Sequence, residues 1–132
     1  MVEGERVALV RRMVELFNSG DRAGLKRMTV EDAEIVPMRA ALEGTVYRGP
    51  DALDRFWTAI DESWEVVQMQ ADEITERGDL VLVVGRLRGR ARETRMELDA
   101  PMAWVMAFEE DKVASVRTYA SVDEARDAVG AG

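Results

Sequence analysis

The sequence predicts an α+β fold in which helices and one short strand precede a meander of long antiparallel strands. Apolar residues recur at three- and four-residue spacing before Trp64 and at two-residue spacing from Val66 onward. Glycine, proline and short acidic clusters separate these stretches, as turns require. The chain has 132 residues, 47% of them hydrophobic. A chain near 150 residues buries roughly 70% of the surface its unfolded form exposes. One domain over residues 1–132, with one core and no disulfide or metal staple, is therefore expected.

The elements follow in order. Glu5 to Asn18 reads as a helix, because Val7, Val10, Val14 and Phe17 share a face with Met13 beside them. Gly20 stops it in a left-handed conformation, and Asp21 caps a short second helix from Arg22 to Met28. Ala33 to Val36 is a short strand ended by Pro37, and Arg39 to Gly44 is a loop. Gly49-Pro50 opens a third helix, with Pro50 in a first-turn position where its missing N–H costs nothing. Leu53, Phe56, Trp57, Ile60 and Trp64 form one apolar stripe along it. Val67, Met69 and Ala71 then alternate with Gln68, Gln70 and Asp72. Arg77-Gly78-Asp79 is a hairpin turn, whatever its likeness in letters to an adhesion tripeptide. Leu80 to Arg90, Leu98 to Phe108 and Val113 to Tyr119 are the remaining strands, with a tight turn at Glu109–Lys112. Ser121 and Glu124 form a capping box that starts a short terminal helix. The alternation implies a sheet with one face on a core.

Composition excludes several chemistries. There is no cysteine, so disulfides and thiolate nucleophiles are absent. There is no histidine, so serine–histidine catalysis and H-E-x-x-H zinc sites are excluded. The net charge of −8 opposes binding to nucleic acid and to anionic membranes. Met1 to Arg6 lack the charged-then-apolar order of a signal peptide, and no stretch approaches the ~20 apolar residues of a membrane span. A cytoplasmic protein is expected.

Three segments, in order, carry a family resemblance. Ala8-Leu9-Val10 through Phe17-Asn18-Ser19-Gly20-Asp21 resembles the first helix and "N-x-G-D" exit of the nuclear transport factor 2-like superfamily. Tyr47-Arg48-Gly49-Pro50, with Leu53 and Phe56, resembles its "Y-x-G" lead-in to the third helix. Ala100 to Phe108, then Asp111-Lys112-Val113, Val116-Arg117 and Tyr119, is similar to the strand pair that closes its SnoaL-like branch. The resemblance implies a cystatin-like fold: a cone-shaped, curved, mostly antiparallel sheet wrapped around N-terminal helices. It also implies a pocket between the concave face and the first and third helices, and homodimers through the convex face.

The family's catalytic residues do not carry over. Ketosteroid isomerases share the fold and use an Asp base with Tyr and protonated Asp donors. Those positions fall on Pro37, Met13 and Trp104; proline and methionine move no proton, and Trp104 keeps one N–H donor. The Asp–Arg–Asp set of limonene-epoxide hydrolases falls near Gly85, Leu87 and Thr118. The last-strand Asp of SnoaL-type cyclases falls at Thr118 or Ser121, and their His at Trp104. A one-residue slip on the third long strand would turn Arg86 and Arg88 inward.

The expected pocket residues are Met13, Phe17, Pro37, Tyr47, Phe56, Trp57, Ile60, Val83, Trp104, Met106 and Thr118, with Ile35, Val81 and Val116 also inward. Such a lining suits a small hydrophobic or aromatic molecule and implies no cofactor and no metal. The alternative is a histidine-free isomerase, polyketide-cyclase-like or epoxide-hydrolase-like enzyme, which needs Glu34, Glu43, Asp61 or Tyr47 to face the pocket. Asp32, Glu34, Glu43 and Arg39 are expected around its mouth. Arg86, Arg88, Arg90 and Arg92 alternate along one strand face, as an anion site, a dimer-face charge array or a solvated convex face that balances the acidic surface. Ala103, Val105 and Ala107 would form an exposed dimer surface.

Overall fold

The computed structural model describes residues 4–37 and 46–130. Arg39 and Glu43 lie outside the described residues, as does the whole loop expected from Arg39 to Gly44. The described elements are α1 (Glu5–Ser19), α2 (Arg22–Arg27), β1 (Thr29–Val36), β2 (Tyr47–Arg48), α3 (Ala52–Ser63), β3 (Trp64–Arg77), β4 (Leu80–Ala91), β5 (Glu97–Glu109), β6 (Lys112–Tyr119) and α4 (Val122–Ala128). The strands form one curved six-stranded sheet in the order β2-β1-β6-β5-β4-β3. All neighbours are antiparallel except β1 and β6.

Local chemistry explains the junctions. Gly20 ends α1 at φ 77, and the Asp21 side chain accepts from the Gly24 N–H at 2.9 Å to start α2. Pro50 departs from expectation. It precedes the Asp51 N-cap and sits in a turn closed by Ala52 N–H to Gly49 O, 3.0 Å. There its fixed φ serves the turn rather than the helix. Ser121 Oγ accepts from the Glu124 N–H at the start of α4.

Asn18 has a structural task. β3 is the edge strand beside α1, and the buried Met69 turns its free backbone groups outward. The Asn18 carboxamide donates to Met69 O and accepts from Met69 N–H, both at 2.8 Å. One side chain thus pairs with the edge as a strand would, and covers a peptide that would otherwise need water.

The curvature comes from β3 and β4. β3 carries register shifts between Trp64 and Val66 and between Ala71 and Glu73. Such bulges bend a strand and increase its twist. Gly85 faces the second: a Cβ built there would lie 1.7 Å from Gln70 O. Only a residue without a side chain lets β3 approach so closely.

Two apolar clusters flank the sheet. The inner one packs α1, α2 and α3 on the concave face around Val10, Leu16, Val81, Met102 and Met106. The outer one holds Leu82, Ala103, Val105 and Ala125, with Val122 and Val129 against it. α4 therefore lies on the outer face. This corrects one expectation: Ala103 is 0% and Val105 7% exposed, because the chain covers them with its own terminal helix. They offer no open surface to a second copy. No helix among the described residues is long and apolar enough to cross a membrane.

Candidate functional site

The concave face is filled at one end and hollow at the other. The hollow part is a cavity of about 520 Å³ bounded by α1, α3, β1 and the inward side chains of β3 to β6. Strand register decides which side chains reach it. Trp104 pairs with Thr118 and Met106 with Val116, so all four share the inner face. Ile35 pairs with Tyr47 on one side and Val116 on the other, and joins them there. Met13 and Phe17 come from α1, Phe56, Trp57 and Ile60 from the stripe of α3, and Pro37 from the end of β1. Of the expected set, Val83 alone is not in this wall. It pairs with Trp104 but is 0% exposed, packed with Val10 and Val81 in the filled end. The wall adds residues outside the expected pocket set, among them Leu25, Ser63, Val67, Met69 and Leu87. Met69 and Leu87 were legible as inward positions of alternating strands; Leu25 depends on how α2 docks.

Six aromatic rings line the cavity: Phe17, Tyr47, Phe56, Trp57, Trp64 and Trp104. Four of them form a chain of contacts. Phe17 stacks on Trp57 at 5.3 Å between centroids, Trp57 meets Phe56 at 5.6 Å, and Phe56 meets Tyr47 edge-on at 6.1 Å. Such pairs are each worth about 0.5–1.5 kcal/mol beyond burial. The Trp57 Nε1 is buried without a hydrogen-bond partner, which costs about 1–3 kcal/mol in a folded protein.

Ion pairs tie α2 to α3. Arg22 grips Asp61 through two hydrogen bonds, one of 2.8 Å from Nη1 to Oδ2, and joins α2 to α3. Its guanidinium lies 4.4 Å from the Trp57 ring centroid. The hydrogen bond from Arg22 holds the Asp61 carboxyl below the usual carboxylate range, against the opposing effect of desolvation. Lys26 pairs with Asp54 across the same two helices at 3.2 Å. Arg92 closes the far end of α3. Its Nε donates to Asp61 O at 2.9 Å and its Nη2 to Trp64 O at 3.2 Å. Carbonyls that a helix end leaves open are thereby satisfied. Arg92 thus stands apart from the arginine array it was expected to join.

The array itself faces outward. Gly85 and Leu87 share the inner face with Ala71 and Met69, so Arg86, Arg88 and Arg90 occupy the outer one, without the slip that would turn them in. Arg86 and Arg88 both reach Asp99, at 2.7 and 3.6 Å, and Arg90 reaches Glu97 at 3.3 Å. Acidic residues of β5 balance the array, which argues for a solvated charge ladder.

The carboxylates expected at the mouth fare differently. Glu34 is a wall residue, yet its side chain cannot serve the cavity. It pairs with Arg48 and Ser115, one step out of phase with Ile35, Tyr47 and Val116, and so points to the outer face. There Arg48 holds it at 2.8 Å and Arg117 at 3.3 Å. Asp32 and Asp61 are exposed. Tyr47 is left as the titratable side chain of the described wall that the register turns inward. Pro37, Met13 and Trp104, where the isomerase acid–base groups would stand, all line the cavity.

Comparisons agree with this architecture. A family model described as a SnoaL-like domain matches residues 10–116. A search of curated proteins finds no match. Among solved structures, a nuclear transport factor 2-like protein of unknown function from Burkholderia pseudomallei superimposes with a TM-score of 0.79 at 18% identity, covering 96% of this chain and 98% of its own. A protein with a ketosteroid isomerase-like fold from Catenulispora acidiphila, in complex with trimethylamine, gives 0.73 at 17% identity, with 92% of each chain covered. TerC co-crystallised with polyporic acid gives 0.77 at 14% identity, over 96% of this chain and 99% of that one. At these identities the likeness establishes the fold.

Proposed function

Since the chain belongs to the SnoaL-like branch of the nuclear transport factor 2-like superfamily, we propose that its cavity binds a small hydrophobic, aromatic molecule without the acid–base residues of the superfamily's enzymes. One observation carries this reading: the described wall presents six aromatic rings around about 520 Å³ and turns no carboxylate inward. Apolar burial then supplies the affinity. A flat aromatic guest that buries about 200 Å² gains about 5 kcal/mol, a Kd on the order of 100 μM. TerC with polyporic acid and the Catenulispora protein with trimethylamine are relatives in fold that take small organic molecules, which supports the reading. The enzymatic alternative rests on Tyr47, with Glu34 turned away and Asp61 held by Arg22.

The three tryptophans, Trp57, Trp64 and Trp104, all line the cavity, so the chain's tryptophan emission reports on it. Titration with 8-anilinonaphthalene-1-sulfonate, excited at the indole band, should quench that emission by energy transfer with a saturable one-to-one isotherm. Uncharged fluorene should reverse the quenching. Dye fluorescence that rises without loss of indole emission would place the dye elsewhere and defeat the proposal.

A further inference from the structure

Thr118 pairs with Trp104 and faces inward with it, and it belongs to the cavity wall. A threonine oxygen is bonded directly to Cβ, so every χ1 rotamer keeps it on the face that Cβ occupies. The Thr118 hydroxyl is thereby held on the cavity side of β6. Thr29, also in the wall, has committed its hydroxyl to Leu25 O at 2.7 Å. The Thr118 hydroxyl has no hydrogen-bond partner among the described residues. Nor is it sealed from a guest. Trp57 Nε1 is the one side-chain polar atom that the described residues both bury and leave unpartnered, and Thr118 is half-buried. Its surroundings are apolar: Trp104, 5% exposed, lies beside it on β5, and Pro37, which has no N–H, follows the β1 partner of Arg117. A hydrogen bond made in such a wall is stronger than one made in water. A ketone suits this hydroxyl best, because it accepts the one O–H proton and brings no proton of its own. Spare lone pairs are tolerated better than orphan donors. A guest carboxylate would instead carry its charge into the apolar wall.

We propose that the Thr118 hydroxyl is the specificity-determining donor of the cavity, selecting uncharged aromatic ketones over hydrocarbons of the same shape. This rests on the cavity's being a binding site for apolar molecules, and the test separates the two claims. Fluorene and 9-fluorenone have nearly the same shape and differ by one carbonyl. Calorimetric titration of the wild-type chain should show fluorenone bound about five- to tenfold more tightly, the range of one neutral hydrogen bond. The same ratio is then measured in two variants, so that a general change in affinity cancels within each chain. Thr118→Val keeps the branched shape and removes the hydroxyl, and should bring the ratio to about one. Thr118→Ser keeps the hydroxyl and drops the methyl, and should retain most of the preference. In the wild type, the Thr118 methyl should show nuclear Overhauser contacts to the fluorenone protons that flank the carbonyl, a readout that needs no variant. Equal binding of both compounds by the wild type, a preference that survives Thr118→Val or is lost in Thr118→Ser, or methyl contacts only to the far edge of fluorenone overturns the role of Thr118 and leaves the cavity reading intact. Failure of both compounds to bind the wild type overturns both claims.

Discussion

Asn18→Ala isolates the contribution of one side chain to the edge of the sheet. The substitution removes two hydrogen bonds of 2.8 Å to the backbone of Met69. Each is worth about 1 kcal/mol net, so the loss is about 2 kcal/mol. Asn18 lies in the last turn of α1, where alanine returns up to about 0.7 kcal/mol of helix propensity. The net destabilisation is therefore about 1.5 kcal/mol. An unfolding entropy near 2.1 cal/mol/K per residue converts 1 kcal/mol into a shift of about 4 °C for a chain of this length, and the expected drop in Tm is about 5 °C. Urea denaturation and calorimetry measure it. The Met69 amide should also lose hydrogen-exchange protection, because its acceptor is the Asn18 oxygen. Asn18→Asp should cost at least as much, since it keeps that acceptor but sets a carboxylate against Met69 O. An Asn18→Ala chain within 0.5 kcal/mol of wild type, with Met69 still protected, would refute the reasoning.

Gly85→Ala should destabilise by more than about 3 kcal/mol or prevent folding, because its Cβ would meet a backbone oxygen at 1.7 Å; a soluble variant with an unchanged urea midpoint would disprove the tight approach of β3. The Asp61 carboxyl is depressed by its hydrogen bond from Arg22, so its stabilising effect is present above the ordinary carboxylate value of about 3.9 and is lost as pH falls through the lower folded value. An NMR titration should find its midpoint below that of a free aspartate, and Arg22→Gln should bring it back up; equal midpoints in the two chains would contradict the pairing.

Much of this architecture is legible in the sequence, where periodicity carries it. The alternation of Val67, Met69 and Ala71 and the pairing of Trp104 with Thr118 follow from a period of two once one face is buried. The Asn18–Asp21 segment announces a helix stop and a cap, but its pairing with an edge strand depends on tertiary contact. β2, only Tyr47 and Arg48, is too short for any period. β1 begins at Thr29, ahead of the expected Ala33, and its pairing with the distant β6 lies beyond local pattern. α4 has a clear start at Ser121, yet nothing local says that it covers Ala103 and Val105. Val83 looks inward by register, and only packing places it in the filled end. Glu34 illustrates the limit most sharply: its neighbours along the chain suggest a pocket mouth, while its partners across the sheet turn it to Arg48 and Arg117.

Methionine methyl groups offer the most direct view of the hollow end of the cone. Met13, Met69 and Met106 line it, whereas Met96 is 68% exposed and stands outside. In carbon–proton spectra of methyl-labelled chain titrated with fluorene, ring currents should move the first three signals together along one saturable curve and leave Met96 in place. Three unmoved cavity signals, or a shift confined to Met96, would contradict an open, guest-binding cavity.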